Sequence, residues 1–243
     1  MSISLHQARK DDNIVSRLSH AGGGNSCHMT RESFPIVPSA WPYLVFFLLA
    51  AALTYVFHPW LATIPLVLFF FTAYFFRNPK RSVTPAEGQI LSPADGVVRE
   101  IRMVDADPFI GGPAVRLAIF LSIFNVHLNR SPVAGRVFMR HYRPGKYIPA
   151  FKSHASEVNE RNLVGIESAA GPVLVTQITG FLARRIVCWA QPGDFLEQGQ
   201  LFGLIRFGSC TELVLPAHVV LTVQRGQKVK GGVTVVGKIP DAS

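Results

Sequence analysis

Gly208-Ser209, inside "LIRFGSCTELVLP", is the step of this chain best equipped to do chemistry on its own backbone. Two strand-like apolar runs meet there. Gly208 has no Cβ, so its carbonyl is open to attack and its backbone tolerates a strained geometry. Ser209 offers a hydroxyl, which needs a base to lose its proton at neutral pH. Attack on the Gly208 carbonyl would turn the amide into an ester. Elimination of that ester would leave a ketone, a pyruvoyl group, on the new chain. An ordinary turn serine is the commoner meaning of a Gly-Ser pair, so the weight falls on the rest of the sequence.

Two segments supply partners for such a serine. His127 follows the apolar run in "FLSIFNVHLNRSPVAG", and Asp95 sits in the turn "SPADG". A carboxylate that orients a histidine, with the histidine activating a serine, is the logic of a hydrolase triad. Each residue also has a plain reading. Aspartate favours turns, and a histidine at a strand end is often structural. Sequence alone does not bring the three together. Asn129 and Arg130, just past His127, are candidates for substrate binding. Cys27, Cys188 and Cys210 are far apart and contain no CxxC, which predicts neither a disulfide framework nor a metal site. The body of the protein is expected in a reducing compartment.

The chain has 243 residues and a net charge of +9. No acid occurs between Asp107 and Glu157, while Arg116, Arg130, Arg136, Arg140, Arg143, Lys146 and Lys152 fall there. An anionic partner is implied. No zinc-finger, RRM-like or basic-zipper pattern appears, which argues against nucleic acid. A membrane surface fits better, because residues 36–76 are almost purely apolar. That length is about twice the roughly 20 residues of one spanning helix. His58-Pro59 interrupts it, so two helices, about 43–57 and 60–76, are predicted as a hairpin. Basic residues flank both ends (Arg31; Arg77, Lys80, Arg81), which places both flanks and the body on the cytoplasmic side of the cell membrane. Residues 1–35 read as a flexible tail, without the early apolar core of a secretory signal.

From residue 77 to 243 short apolar runs alternate with Gly, Pro, Asn and Asp, which predicts strands and tight turns. One helix is expected within 150–163. "PGDFLEQGQLFGLI" and "QRGQKVKGGVTVVGKI" share a polar glycine turn followed by an apolar strand, as in lipoyl-type folds. The fold class expected is mainly β, a sandwich or barrel-like catalytic domain with an N-terminal hydrophobic helical hairpin.

"FFRNPKR", "SPADGVV", "FLSIFNVHLNRSPVAG", "ASEVNERN", "QITGFLARRIVCW" and "GLIRFGS", in this order, resemble the phosphatidylserine decarboxylase proenzymes, of the short archaeal-type subgroup. The resemblance implies self-cleavage between 208 and 209, giving a β chain 1–208 and an α chain 209–243 that stay together as a heterodimer, with further homo-oligomers plausible. It implies a pyruvoyl group made from Ser209 as the cofactor, with no metal. Ser209, His127 and Asp95 match the nucleophile, the base and the orienting acid. The substrate would be phosphatidylserine in an anionic membrane, its amine condensing with the ketone before CO2 leaves, and His127 returning a proton.

Two positions depart from the resemblance. Longer members carry His-x-x-His where this chain has His127 and Arg130, so His127 has to serve both cleavage and decarboxylation, or another group helps. Cys210 stands where short relatives usually have Arg, and offers a second nucleophile. His154 stands where relatives often have Lys and looks incidental. Two other classes compete: a membrane-anchored β adaptor without chemistry, and a pyruvoyl enzyme for a soluble amino acid. The adaptor gives no reason for Gly208-Ser209, and the hairpin argues against the second.

Overall fold

The computed structural model describes residues 34–82, 87–148, 158–180, 185–206 and 209–240, with Ser209 described in its backbone only. Gly208, Cys27, Lys152, His154 and nearly all of the expected tail lie outside the described residues.

The apolar segment folds as the expected hairpin. Helix α1 is Trp41–Phe57 and helix α2 is Thr63–Phe75. The second helix starts later than expected because Pro59–Ala62 forms a tight 3-10 turn. His58 is extended (φ −158°, ψ 117°), as the residue before a proline is driven out of the helical region. Its N–H still closes α1 on the Thr54 carbonyl at 2.9 Å. Neither helix has a polar face. Their outer surfaces are exposed, most of all at the turn, where Val56, Phe57 and Trp60 are 79%, 76% and 80% accessible. The segment Pro38–Phe57 is long and apolar enough to cross a membrane. The base of the hairpin is buried: Val37, Ala40, Leu44, Phe75 and Phe76 pack against Val126, Leu128, Leu201 and Leu204 of the β domain.

The strands are β1 (Gln89–Leu91), β2 (Gly96–Asp107), β3 (Gly112–Leu121), β4 (Leu128–Arg130), β5 (Gly135–Arg143), β6 (Arg161–Ser168), β7 (Gly171–Thr179), β8 (Arg185–Cys188), β9 (Phe195–Leu196), β10 (Leu201–Arg206), β11 (Ser209–Pro216), β12 (Val220–Leu221), β13 (Lys228–Val229) and β14 (Val235–Lys238). Eight form one sheet in the order β13-β2-β3-β11-β7-β6-β5-β9; β4-β10-β8 and β1-β14-β12 form two small ones. The three enclose a core built from Leu117, Ile119, Ile166, Val175, Phe202, Leu213 and their neighbours. Full burial of each such side chain contributes about 1.5–3 kcal/mol. The mainly β architecture with a helical hairpin is therefore as the sequence implied. Of the helix expected within 150–163, residues 150–157 lie outside the described residues, and from Arg161 the chain is strand β6.

The two related segments fold alike. In each, a glycine with positive φ opens a two-residue strand, and a second such glycine follows six residues after the first: Gly193 and Gly199 (97° and 80°), Gly226 and Gly232 (89° and 71°). Non-glycine residues rarely adopt that conformation. The repeat extends further than the sequence reading saw. Ser92-Pro-Ala-Asp-Gly96 and Ser131-Pro-Val-Ala-Gly135 make the same turn, each serine hydroxyl donating to the carbonyl two residues on at 2.7 Å. A Cβ on Gly96 or Gly135 would lie 2.2 or 2.3 Å from a facing carbonyl oxygen, so neither position accepts a side chain. The N–H of Gly232 donates to Ser92 and that of Gly199 to Ser131, both at 2.8 Å. The fold is thus a duplicated turn-and-strand unit. Of the two equivalent turns, one carries a carboxylate, Asp95, and the other Ala134.

Candidate active site

His127 is fully buried just before β4. Its Nδ1 lies 3.0 Å from the Asn125 carbonyl oxygen. A carbonyl only accepts, so the neutral ring carries its proton on Nδ1 and its lone pair on Nε2, the form a general base needs. Asn125 is held in turn, its Oδ1 accepting from the Ser122 N–H at 2.9 Å and hydroxyl at 2.8 Å. Burial lowers the His127 pKa from 6.5 to about 4; the Arg77 charge adds to the fall, while the Asn125 bond and the Asp95 charge oppose it. The imidazole is therefore neutral at physiological pH.

Asp95 is bound differently from a triad acid. Its Oδ2 meets Arg81 Nη2 at 2.7 Å and its Oδ1 accepts the Gly231 N–H at 2.8 Å. Arg81 also donates to the Gly231 carbonyl. Asp95 thus acts on His127 through its charge, and the hydrogen-bond partner of Nδ1 is a backbone carbonyl. Arg81, which the sequence places only among the basic residues flanking the hairpin, is the direct partner of the carboxylate.

Ser209 opens β11 in the middle of the large sheet, its backbone paired with Leu121 of β3 on one side and Thr179 of β7 on the other. Thr179 is pinned: its hydroxyl donates to Glu160 O at 3.1 Å and its carbonyl accepts from Asn159 Nδ2 at 2.7 Å. Thr211, two residues along the same strand, accepts a 3.0 Å hydrogen bond from Asn129 Nδ2. Asn129 Oδ1 accepts from Gln177, and Gln177 Oε1 from Asn162, each at 2.9 Å. This buried chain ties the strand after His127 to the strand that Ser209 opens. Fully paired polar networks of this kind fix one arrangement of a core. Asn129 is thus placed inside the network, where Gln177, Asn162 and Thr211 join it unforeseen.

Arg130 is buried where the two glycine turns meet. Nη1 donates to Gly199 O at 2.9 Å and Nη2 lies 3.4 Å from Asn78 Oδ1. A Cβ on Gly232 would come within 2.6 Å of Arg130 Cδ, which accounts for the glycine. Arg116 is half-buried, 3.6 Å from Asp107 and 3.8 Å from Glu212. The basic residues left at the surface of the acid-free stretch are Arg136, Arg140, Arg143 and Lys146. Cys210 is buried, and burial pushes its thiol up, which leaves it protonated and a poor nucleophile at neutral pH. Among the described residues, no group of three or more His, Cys, Asp or Glu is placed to hold a metal ion.

A neutral, buried imidazole, the opposing charges of Arg77 and Asp95 acting on it and a serine at the head of a central strand define a β-domain enzyme with a membrane-type hairpin. The profile of the family described as phosphatidylserine decarboxylase matches residues 68–237. The chain is 55% identical over 181 residues to the phosphatidylserine decarboxylase proenzyme of Carboxydothermus hydrogenoformans, covering 74% of this chain and 85% of that one. It is 45% identical over 206 residues to that of Symbiobacterium thermophilum, covering 84% and 96%. With the proenzyme of Rhodopirellula baltica it shares 44% over 217 residues, covering 86% and 90%. This chain belongs to the phosphatidylserine decarboxylase family.

Proposed function

We propose that this chain decarboxylates phosphatidylserine to phosphatidylethanolamine after cutting itself between Gly208 and Ser209. The observation that carries the reading is the position of Ser209 at the head of β11, hydrogen-bonded on both sides within the large sheet. A break before Ser209 would leave 209–243 woven into the fold, since β11 is a central strand and β13 pairs with β2. The two products would remain one heterodimer.

In this reading Nε2 of His127 takes the Ser209 proton, the hydroxyl attacks the Gly208 carbonyl, and the acyl group passes from nitrogen to oxygen. Elimination then frees the 1–208 carboxylate. Uptake of water and loss of ammonia convert the new terminus to the pyruvoyl group. That terminus fits the role, for the Asn129–Thr211 bond and the Thr179 pairing hold its strand in place. When formed, the group supplies an electron sink for loss of CO2. His127 then holds or returns a proton, Arg77 and Asp95 set the charge beside it, and the buried base of the hairpin excludes water.

Intact-mass spectrometry of the purified protein, with carbonyl-directed labelling, tests this. Two species split at 208/209, the smaller one labelled, are expected. A single unlabelled species from protein that turns over phosphatidylserine would overturn it.

The hairpin is proposed to enter the cell membrane from the cytoplasmic side, with the surface arginines meeting anionic headgroups at about 1 kcal/mol each. Binding to vesicles containing phosphatidylserine should weaken as salt rises. Changing Phe57 and Trp60 together to serine should cut binding about thirtyfold or more, about 2 kcal/mol or upward from the lost apolar burial. Unchanged binding in that variant would exclude insertion through the tip.

A further inference from the structure

We infer that the hairpin is part of the reaction centre, and that Phe75, the last residue of α2, is a positioning residue for His127. The inference rests on the self-cleavage reading above. Phe75 is 1% exposed. Its ring lies against the imidazole, the centroids 4.3 Å apart and the planes tilted by 33°. One face of the histidine is thereby closed to water and to rotation. The hairpin also fixes the opposite requirement, the carbonyl that orients Nδ1. Arg77, two residues beyond Phe75, donates to Phe124 O at 2.8 Å, and Tyr74 donates to the same oxygen at 3.2 Å. That oxygen belongs to the turn that presents Asn125. A membrane anchor that served only as an anchor would need neither contact.

A second arm runs from the same rings to the strand that leads into the cleavage junction. Phe76 packs edge-on to Phe75 at 5.1 Å and stacks on Tyr43 of α1 at 6.1 Å. The Tyr43 hydroxyl accepts from Arg206 Nη1 at 3.0 Å. Arg206 ends β10, three residues before Ser209. The hairpin base therefore touches both the proposed base and the approach to the bond it would break.

The charged groups around the imidazole are Arg77 from the end of α2 and Asp95 from its turn. Arg130 on β4 and Arg206 on β10 point to Gly199 and Tyr43. With these unchanged, removing the Phe75 ring hydrates the imidazole and moves its titration toward the ordinary histidine range.

The test follows self-cleavage of the full-length chain from pH 4 to 8 by appearance of the small fragment. Phe75→Ala removes the ring and opens that face of the imidazole to water, and Phe75→Leu, smaller than Phe and still apolar, stands in if the first fails to fold. The acid limb of the rate profile is expected to move up by about one pH unit or more, with a severalfold slower rate on the plateau. A filler role alone would lower the plateau and leave the limb where it is, which would overturn the inference. If the unaltered protein is cut at no pH, the self-cleavage reading fails instead.

Discussion

Ser209→Ala is expected to persist as one uncut chain of about 26.7 kDa and to release no CO2 from phosphatidylserine. The effect is all-or-none because a single atom has two successive duties. Without Oγ no ester forms, so the backbone stays intact. Without the new terminus there is no ketone, and no other group in the described site provides one. Cys210 does not rescue the variant, since its thiol is buried and held protonated. The fold is expected to survive, because the backbone pairing of residue 209 with Leu121 and Thr179 does not involve its side chain. Unchanged near-UV circular dichroism would confirm that. Loss of decarboxylation in a folded chain then isolates chemistry from stability. Turnover by the uncut alanine protein, measured as 14CO2 release from carboxyl-labelled lipid, would remove Ser209 from the mechanism.

Much of this was readable from residue types. The apolar run and its His58-Pro59 break gave the hairpin, because lipid-facing helices without a polar side leave a plain signature. Alternating short runs and glycine turns gave the β domain. Ser209, His127 and Asp95 stood out because few residue types activate a hydroxyl. What stayed hidden depends on pairing in space. The partner of Asp95 is Arg81, fourteen positions away in a segment that reads as a basic flank. The partner of the His127 Nδ1 is a backbone carbonyl, which has no identity in a sequence. Arg130 reads from the sequence as a substrate-binding candidate, and its place between two glycine turns 33 positions apart shows only in the structure. The turn repeat Ser-Pro-x-x-Gly was visible in the letters, but its meaning needed the matching hydrogen bonds of Gly199 and Gly232. Asn162, Gln177 and Thr211 belong to ordinary strands, and only the strand order brings them to Asn129. Phe75 was hidden among apolar neighbours, where nothing in the sequence separates the ring that faces lipid from the ring that faces a histidine.

His127 should also make the folded protein sensitive to acid, in a direction fixed by its burial. The unfolded chain takes up a proton near pH 6.5, while the buried ring holds out until about pH 4. Between those values the unfolded state binds more protons, so stability rises with pH across that window and is lost as pH falls through it. Each pH unit is worth about 1.4 kcal/mol for one group, which makes the whole limb about 3 kcal/mol. Above pH 6.5 the contribution is complete; below 4 no further loss comes from this residue. Urea unfolding in detergent, in the Ser209→Ala background so that every molecule is uncut, reads the limb directly. His127→Gln should flatten it by most of that amount, since a neutral side chain does not titrate. In the background that retains Ser209, the same substitution is expected to stop self-cleavage, because an amide accepts no proton from the serine. A flattened limb with normal cleavage would keep the burial argument and move the base elsewhere. An unchanged limb would mean that His127 is hydrated in the folded protein, and the neutral-base geometry would fall with it.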